Sequence, residues 1–469
     1  MRHKIKTLAC IALVIASSIQ LIGCGGGGDT VQTTVPGSNS SAGALDLSKG
    51  APLGTIYFAT DYARTATENG VRIEAVRADG TGRTVVVNAA TGVYSFSVNG
   101  LSPDGVWLSY GSFGTGTGAI ANYISKADGT AARRVATGED AIRLRYTPDS
   151  QKILYSTGDF GTSDGSLIVD NAGGGSSRTV AATISTFDNP GNISWDISPD
   201  GGKIAHMSKS GLFVEKIDGS GKVDLGAGAN FKPGPYSFGG VFFSPDSSKI
   251  AIHLYHKTDD SKTGMYVLNA DGSTNLAAAN PIISGAIFKA QKTRGSASAK
   301  VEAWTPSGSI LYSIINTSTV SDVPDSYEWL AINPDGSGSR SIAKWAPSGY
   351  VNVSDFGRAV LSPDQTQMVY SSVGQLYRVL ISGGAPLKLT NSAGSNIMPY
   401  FNTDGSKIVF TSSRDDRGQN LASPGFIGGA ADTAYVINSD GTNELRLIDG
   451  YSVDYPETFR KAQLSGGKK

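Results

Sequence analysis

Hydrophobic residues in this chain come in short alternating runs separated by turn residues, not in the three-to-four spacing of helices. Eight of the runs are closely alike: Ile56-Tyr57-Phe58, Leu108-Ser109-Tyr110, Ile153-Leu154-Tyr155, Ile204-Ala205-His206, Ile250-Ala251-Ile252, Ile310-Leu311-Tyr312, Met368-Val369-Tyr370 and Ile408-Val409-Phe410. Period-two alternation of β-branched and aromatic residues predicts half-buried strands. The third position is aromatic in six of the eight, which predicts packing between neighbouring sheets.

Seven of these runs follow one short phrase. Its copies are Ser102-Pro103-Asp104-Gly105, Thr147-Pro148-Asp149-Ser150, Ser198-Pro199-Asp200-Gly201, Ser244-Pro245-Asp246-Ser247, Thr305-Pro306-Ser307-Gly308, Ser362-Pro363-Asp364-Gln365 and the degenerate Asn402-Thr403-Asp404-Gly405. Their spacings at the proline position are 45, 51, 46, 61, 57 and 40 residues. After each run comes a second strand ending in Asp-Gly or a variant, as at Asp79-Gly80, Asp128-Gly129, Asp218-Gly219 and Asp271-Gly272. Asp-Gly between extended runs marks a hairpin, because glycine accepts the positive φ of the turn. A further strand follows, as in Arg83-Thr84-Val85-Val86-Val87, and another leads into the next phrase, as in Ile193-Ser194-Trp195-Asp196-Ile197. Four strands per repeat and a period of this length predict an all-β fold, a β-propeller of four-stranded antiparallel blades. Eight blades are expected, with seven as the alternative because the spacings around Pro306 are long. The first repeat lacks its inner strand and the C-terminal stretch Tyr451–Pro456 is left over. That strand is therefore expected to complete blade 1 and close the ring.

The combination Ser-Pro-Asp-Gly, then Lys-Ile-x-Phe/Tyr-x-Ser, then Tyr-Val-x-Asn-x-Asp-Gly resembles the TolB-type (WD-like) propeller repeat. Asn402 to Asp415, which contains Asp404-Gly405-Ser406-Lys407-Ile408-Val409-Phe410, is the best single match. The resemblance spans about residues 51–460. It departs from TolB in having no room for a preceding α/β domain and more blades than that family's six, so a TolB partner is not carried over.

The N-terminus changes the picture of where such a propeller would work. Arg2, Lys4 and Lys6 precede an apolar stretch from Thr7 to Ile22 that is too short and interrupted for a membrane span. It ends in Leu21-Ile22-Gly23-Cys24, which resembles the bacterial lipobox. The expectation is a signal peptide over 1–23 and lipid on Cys24, hence a bacterial cell-envelope protein anchored to a membrane, outer rather than inner since Gly25 and not Asp follows. It would face the periplasm or the surface. Residues 24–50 are Gly-, Ser- and Thr-rich, which predicts a flexible tether spanning about 28 Å. The propeller is assigned to 51–460 and a disordered tail to 461–469. Cys10 lies in the removed segment, so the mature chain has no partner for a disulfide. Without Arg2, Lys4 and Lys6 the charge is 37 basic against 40 acidic residues, which gives no electrostatic footprint for nucleic acid.

Turns after the first and third strands of each repeat are tight. Connections after the second strand are long, at Asp61–Gly70, Phe113–Ala119, Asp159–Gly165, Tyr255–Gly264, Asn316–Tyr327 and Ser413–Thr433. All of these fall on one face, and long loops on a rigid scaffold are where binding residues reside. This face is the expected working surface, with His256, Asp259, Asp260, Arg414, Asp415 and Arg417 as candidate contacts. The sequence reads as a monomeric, non-enzymatic module that binds a protein, peptide or glycan, with no cofactor and no catalytic residue. The alternative is a polysaccharide lyase or hydrolase of the propeller type with a histidine-held metal. Its ligands would be His206, His253 and His256, although His206 occupies the aromatic packing slot. Gly161-Thr162-Ser163-Asp164-Gly165 spells a nucleophile elbow, but its setting is a loop between strands rather than a strand-to-helix turn.

Overall fold

The phrase folds as it does because its first and third residues close their own turn. In the computed structural model, Ser102, Thr147, Ser198, Ser244 and Ser362 each donate a hydroxyl hydrogen bond to the phrase aspartate, at 2.5–2.6 Å. The same oxygen accepts the amide five residues on, as from Lys203 (2.8 Å) and Lys249 (2.8 Å). In the degenerate copy Asn402 takes over the acceptor role towards the Lys407 amide at 2.9 Å. The aspartate in turn accepts the amide that follows the turn, for example Gly202 at 2.9 Å. The fourth phrase residue sits at positive φ throughout, from 56° at Gln365 to 84° at Gly308, which explains the usual glycine.

The structure describes residues 43–459 except 64–68, 115–119, 136–140, 158–164, 185–194, 209–210, 232–239, 285–296, 318–323, 346–358, 393, 403, 413, 415–432 and 448–452. The signal segment, Cys24 and the 461–469 tail thus lie outside the described residues. Eight four-stranded antiparallel sheets form the blades. Blade 2 is typical, running from its inner strand Val93–Leu101 through Trp107–Gly114 and Ile120–Lys126 to the outer Arg133–Arg134. Blade 1 draws Thr55–Ala63, Asn69–Arg77 and Thr84–Asn88 from the N-terminal side and its inner strand, Val453–Phe459, from the other end of the chain. That strand pairs antiparallel with Thr55–Ala63, Ile56 opposite Phe459 and Thr60 opposite Val453. The ring has eight blades and is closed by its C-terminal strand, which lies slightly later than Tyr451–Pro456.

The core lies between blades, not within them. Among the described residues there are eight buried apolar clusters, and each straddles one junction between consecutive blades, including blade 8 with blade 1. The aromatic third position of the repeat strand faces the preceding blade: Tyr155 packs with Ile124 and Val135, and Phe410 with Val369, Leu376 and Leu389. In four blades this ring also stacks on the residue directly across the sheet, in the pairs Tyr110/Tyr123, His206/Phe213, Tyr370/Tyr377 and Phe410/Tyr435. Such cross-strand pairs stabilise a sheet by about 0.2–1 kcal/mol each.

Polar clasps supplement this packing between blades 2 and 5. Arg133, on the outer strand of blade 2, pairs with Asp170 of blade 3 at 3.1 Å. Arg178, on the outer strand of blade 3, pairs with Glu215 of blade 4 at 3.2 Å. On the inner strands Arg145 pairs with Asp196 at 2.5 Å, and Asp196 also accepts the Phe243 amide of blade 5 at 3.0 Å.

The ordered body begins earlier than the composition of 24–50 implies. Leu45, Leu47 and Ala51 are buried in the cluster between blades 1 and 2. The few apolar residues of this strap enter that junction, and Leu45 hydrogen-bonds to the edge of blade 1 through Gly82 (3.2 Å) and Thr84 (3.0 Å).

Candidate ligand-binding face

Strand direction divides the disc into two chemically unlike faces. Every phrase, and every Asp-Gly turn between third and outer strands, lies on one of them. There the turns are short and self-closed, with Asp128, Asp218, Asp271, Asp335 and Asp440 each holding the amide two residues on at 2.8–3.0 Å. The opposite face carries the connections between second and third strands. Two of these are tight, a point absent from the sequence reading: Lys203–Ser208 leads to Gly211–Lys216 in blade 4, and Gln367–Ser372 to Gln375–Leu380 in blade 7. The remaining six are longer in sequence.

The blade 5 connection, 255–263, is the long one described throughout. It is built, not merely exposed. His256 Nδ1 accepts the amides of Asp259 (2.9 Å) and Thr258 (3.3 Å), and its ring meets Phe231 edge-on at 5.2 Å. Asp259 caps a short 3-10 turn over Asp260–Lys262 by accepting from Ser261. The Ser261 hydroxyl and amide hold the Asp259 carboxyl below the usual carboxylate range. The loop is tied back to the strand-to-blade connection before it, since Lys257 donates its amide to the Asn230 carbonyl at 2.9 Å. Tyr266 underpins it through a hydrogen bond to the Lys262 carbonyl, its phenol pushed up to about 12 by burial and then by Asp259. Lys257, Thr258, Asp260, Ser261 and Lys262 stay exposed on this frame.

Arg414 is placed differently from its partners on the expected contact set. Its guanidinium donates to Asn396 (2.7 Å) and Ser412 (2.9 Å), pairs with Glu444 and covers the Tyr435 ring at 4.1 Å. It acts as a latch within blade 8 rather than a free cation. Asp415, Arg417 and Gly161–Asp164 of the elbow-like motif lie outside the described residues.

The structure does not assemble the three histidines. His206 and His253 are fully buried in the second strands of blades 4 and 5. His206 stacks on Phe213 and bonds through Nε2 to Glu215 at 3.2 Å, as expected of a residue standing in for the packing aromatic. His253 packs against Tyr255, with ring centroids 4.8 Å apart. His256 has already committed the lone pair of Nδ1 to its loop. Among the described residues no three of His, Cys, Asp and Glu form a group able to hold a metal ion.

The sequence matches no known family profile and no curated protein. Solved structures it is similar to include an oligogalacturonate lyase in complex with manganese, at 12% identity over 78% of this chain and 94% of that one, with a TM-score of 0.45. A putative TolB from Agrobacterium tumefaciens is 19% identical over 61% and 91%, with a TM-score of 0.31. The dipeptidyl peptidase 4 of Porphyromonas gingivalis is 13% identical over 76% and 53%, with a TM-score of 0.48. TolB proteins are thus among its structural neighbours, beside a lyase and a peptidase. At these identities the likeness is one of fold, and the blade count rests on this chain's own strand pairing.

Proposed function

We propose that this protein is a non-enzymatic binding module of the bacterial cell envelope, held to a membrane by lipid on Cys24, that engages a protein, peptide or glycan through its long-loop face. One observation carries the reading: the two faces differ. The phrase face is a set of near-identical self-satisfied turns, whereas the connections on the other face differ in length and sequence from blade to blade. The 255–263 loop presents exposed side chains on a hydrogen-bonded frame, which limits the ordering cost that a partner would otherwise meet.

Capture from an envelope extract by the soluble body, residues 43–469, tests the proposal. Replacing Lys257, Thr258 and Lys262 together by alanine should weaken capture of the partner, while Ser382→Ala on the phrase face should leave it intact. The opposite pattern would overturn the assignment of the face. Stoichiometric Mn, Zn or Ca that is lost on both His206→Ala and His253→Ala would instead favour a metal-dependent lyase or hydrolase.

A further inference from the structure

We propose that the propeller is held with its phrase face toward the membrane, so that the long-loop face is presented away from the lipid surface. The inference rests on the lipidation of Cys24 and adds the direction in which the binding face points.

The strap at 45–51 decides where the anchored end of the chain leaves the body. Leu45 is fastened to Gly82, in the turn between third and outer strands of blade 1, and the Ala51 amide donates to the Gly105 carbonyl in the phrase of blade 2 at 2.8 Å. Both partners belong to the phrase face. The approach is close, since a Cβ on Gly50 would stand 3.2 Å from the Gly105 carbonyl oxygen. Leu45 and Leu47, 6% and 4% exposed, fix the strap into the core. The chain is therefore committed to this face only nineteen residues after Cys24, counting to Gly43.

The other end of the chain leaves on the same side. The strand Val453–Phe459 runs antiparallel to Thr55–Ala63 and brings Phe459 beside Ile56, at the phrase-face end of blade 1. Arg460, Lys461, Lys468 and Lys469 follow it in sequence. Basic residues following that end of the strand favour an anionic leaflet.

Reach makes the bias effective. By the scaling of Gly-rich sequences, 19 residues correspond to a root-mean-square span of about 24 Å. The two faces are separated by about 20 Å, the length of a six-residue strand. Turning the loop face to the membrane would require the linker to cover that thickness and the path around the rim as well.

The test uses the full chain in vesicles of phosphatidylethanolamine and phosphatidylglycerol that contain a headgroup quencher. Cys24 is acylated in the anchored protein, so an introduced cysteine is the only free thiol. A fluorophore at Ser382→Cys, in the exposed third-to-outer turn of blade 7, reports the phrase face. One at Lys257→Cys reports the loop face. Quenching should be roughly twofold stronger at 382 than at 257, given faces about 20 Å apart. Inserting a second linker length of Gly/Ser residues after Ser41 should shrink that difference. Equal or reversed quenching, or a difference that the insertion leaves unchanged, overturns the orientation. Failure to sediment with vesicles, with Cys24→Ser behaving like the parent, overturns the lipidation reading instead.

Discussion

Replacing Glu215 by glutamine should loosen the junction between blades 3 and 4, and only above the pH at which the native carboxyl loses its charge. Glu215 is 3% exposed and accepts from Arg178 and from His206 Nε2, each at 3.2 Å. At that distance and an effective dielectric of about 20, the gross ion-pair attraction is about 5 kcal/mol. Desolvation offsets much of it, and the Arg178 side chain keeps 32% of its exposure. A net loss of about 3 kcal/mol is therefore expected, the lower end of the range for a buried pair deprived of one partner. Burial raises the carboxyl pKa, but the hydrogen bond and charge of His206 and the charges of Arg178 and Lys222 outweigh it and leave the pKa below its ordinary 4.5. A lowered pKa means that the stabilisation is fully present above the unfolded value and disappears as pH falls through the native one. Amide hydrogen exchange in Ser177–Ile184 and Gly211–Lys216 is the assay, because an unfolding curve of so many blades need not be two-state. At pH 7 the variant should exchange about 100-fold faster than the parent in these strands. The ratio should fall toward unity as pH drops below the ordinary 4.5 and through the lowered native pKa. A ratio near one at pH 7, or one independent of pH, would refute the reasoning.

Other positions give sharper local tests. The Ser247 hydroxyl accepts the Asp200 amide of the preceding blade at 3.1 Å, and its φ is 60°. Ser247→Ala should therefore lose about 1–2 kcal/mol, whereas Ser247→Gly, which also sheds the strain, should melt close to the parent. Val373 is 63% exposed with φ 50° at the tip of the tight blade 7 turn. Val373→Gly should raise stability by about 1 kcal/mol, and a lower melting temperature would contradict that. A Cβ on Gly129 would lie 2.0 Å from the Val86 carbonyl oxygen, with φ at 84°. Gly129→Ala should accordingly cost more than about 3 kcal/mol and reduce the soluble yield.

The repeat was legible because its turns are satisfied locally. Ser, Pro, Asp and Gly close the phrase whatever lies around them, so the letters survive from blade to blade and count the blades. The same holds for the packing slot, where His206 could be read as a replacement for Tyr or Phe. What the sequence concealed depends on neighbours far along the chain. Ser150 and Ser247 look like lapses from Gly, yet each hydroxyl bonds to the adjoining phrase, at Asp104 and Asp200. Leu45 and Leu47 sit in a Gly- and Ser-rich stretch, and nothing in their spacing announces the junction that buries them. Arg133–Asp170 and Arg178–Glu215 join residues of adjacent blades and have no short-range signature. Outer strands as brief as Arg133–Arg134 or Val223–Asp224 lie below the length at which alternation can be seen. On the long-loop face the 255–263 frame relies on Asn230 and Phe231, which no motif singled out, and Arg414 proved to be engaged by blade 8 itself.

The way blade 1 is assembled has a bearing on how the molecule comes into being. Its inner and second strands, paired at Ile56 and Phe459, come from positions about 400 residues apart, which makes their pairing the slowest kind of contact to form. On a chain made from its N-terminus, Thr55–Ala63 must wait with one edge unmatched until almost everything else exists. Such an edge is a template for the wrong partner, so the interval before closure is the period of greatest risk from aggregation. Loss of Val453–Phe459, by a late translation error or by proteolysis, would do more harm than equal damage to an outer strand. The last strand to arrive decides whether seven finished blades become a ring.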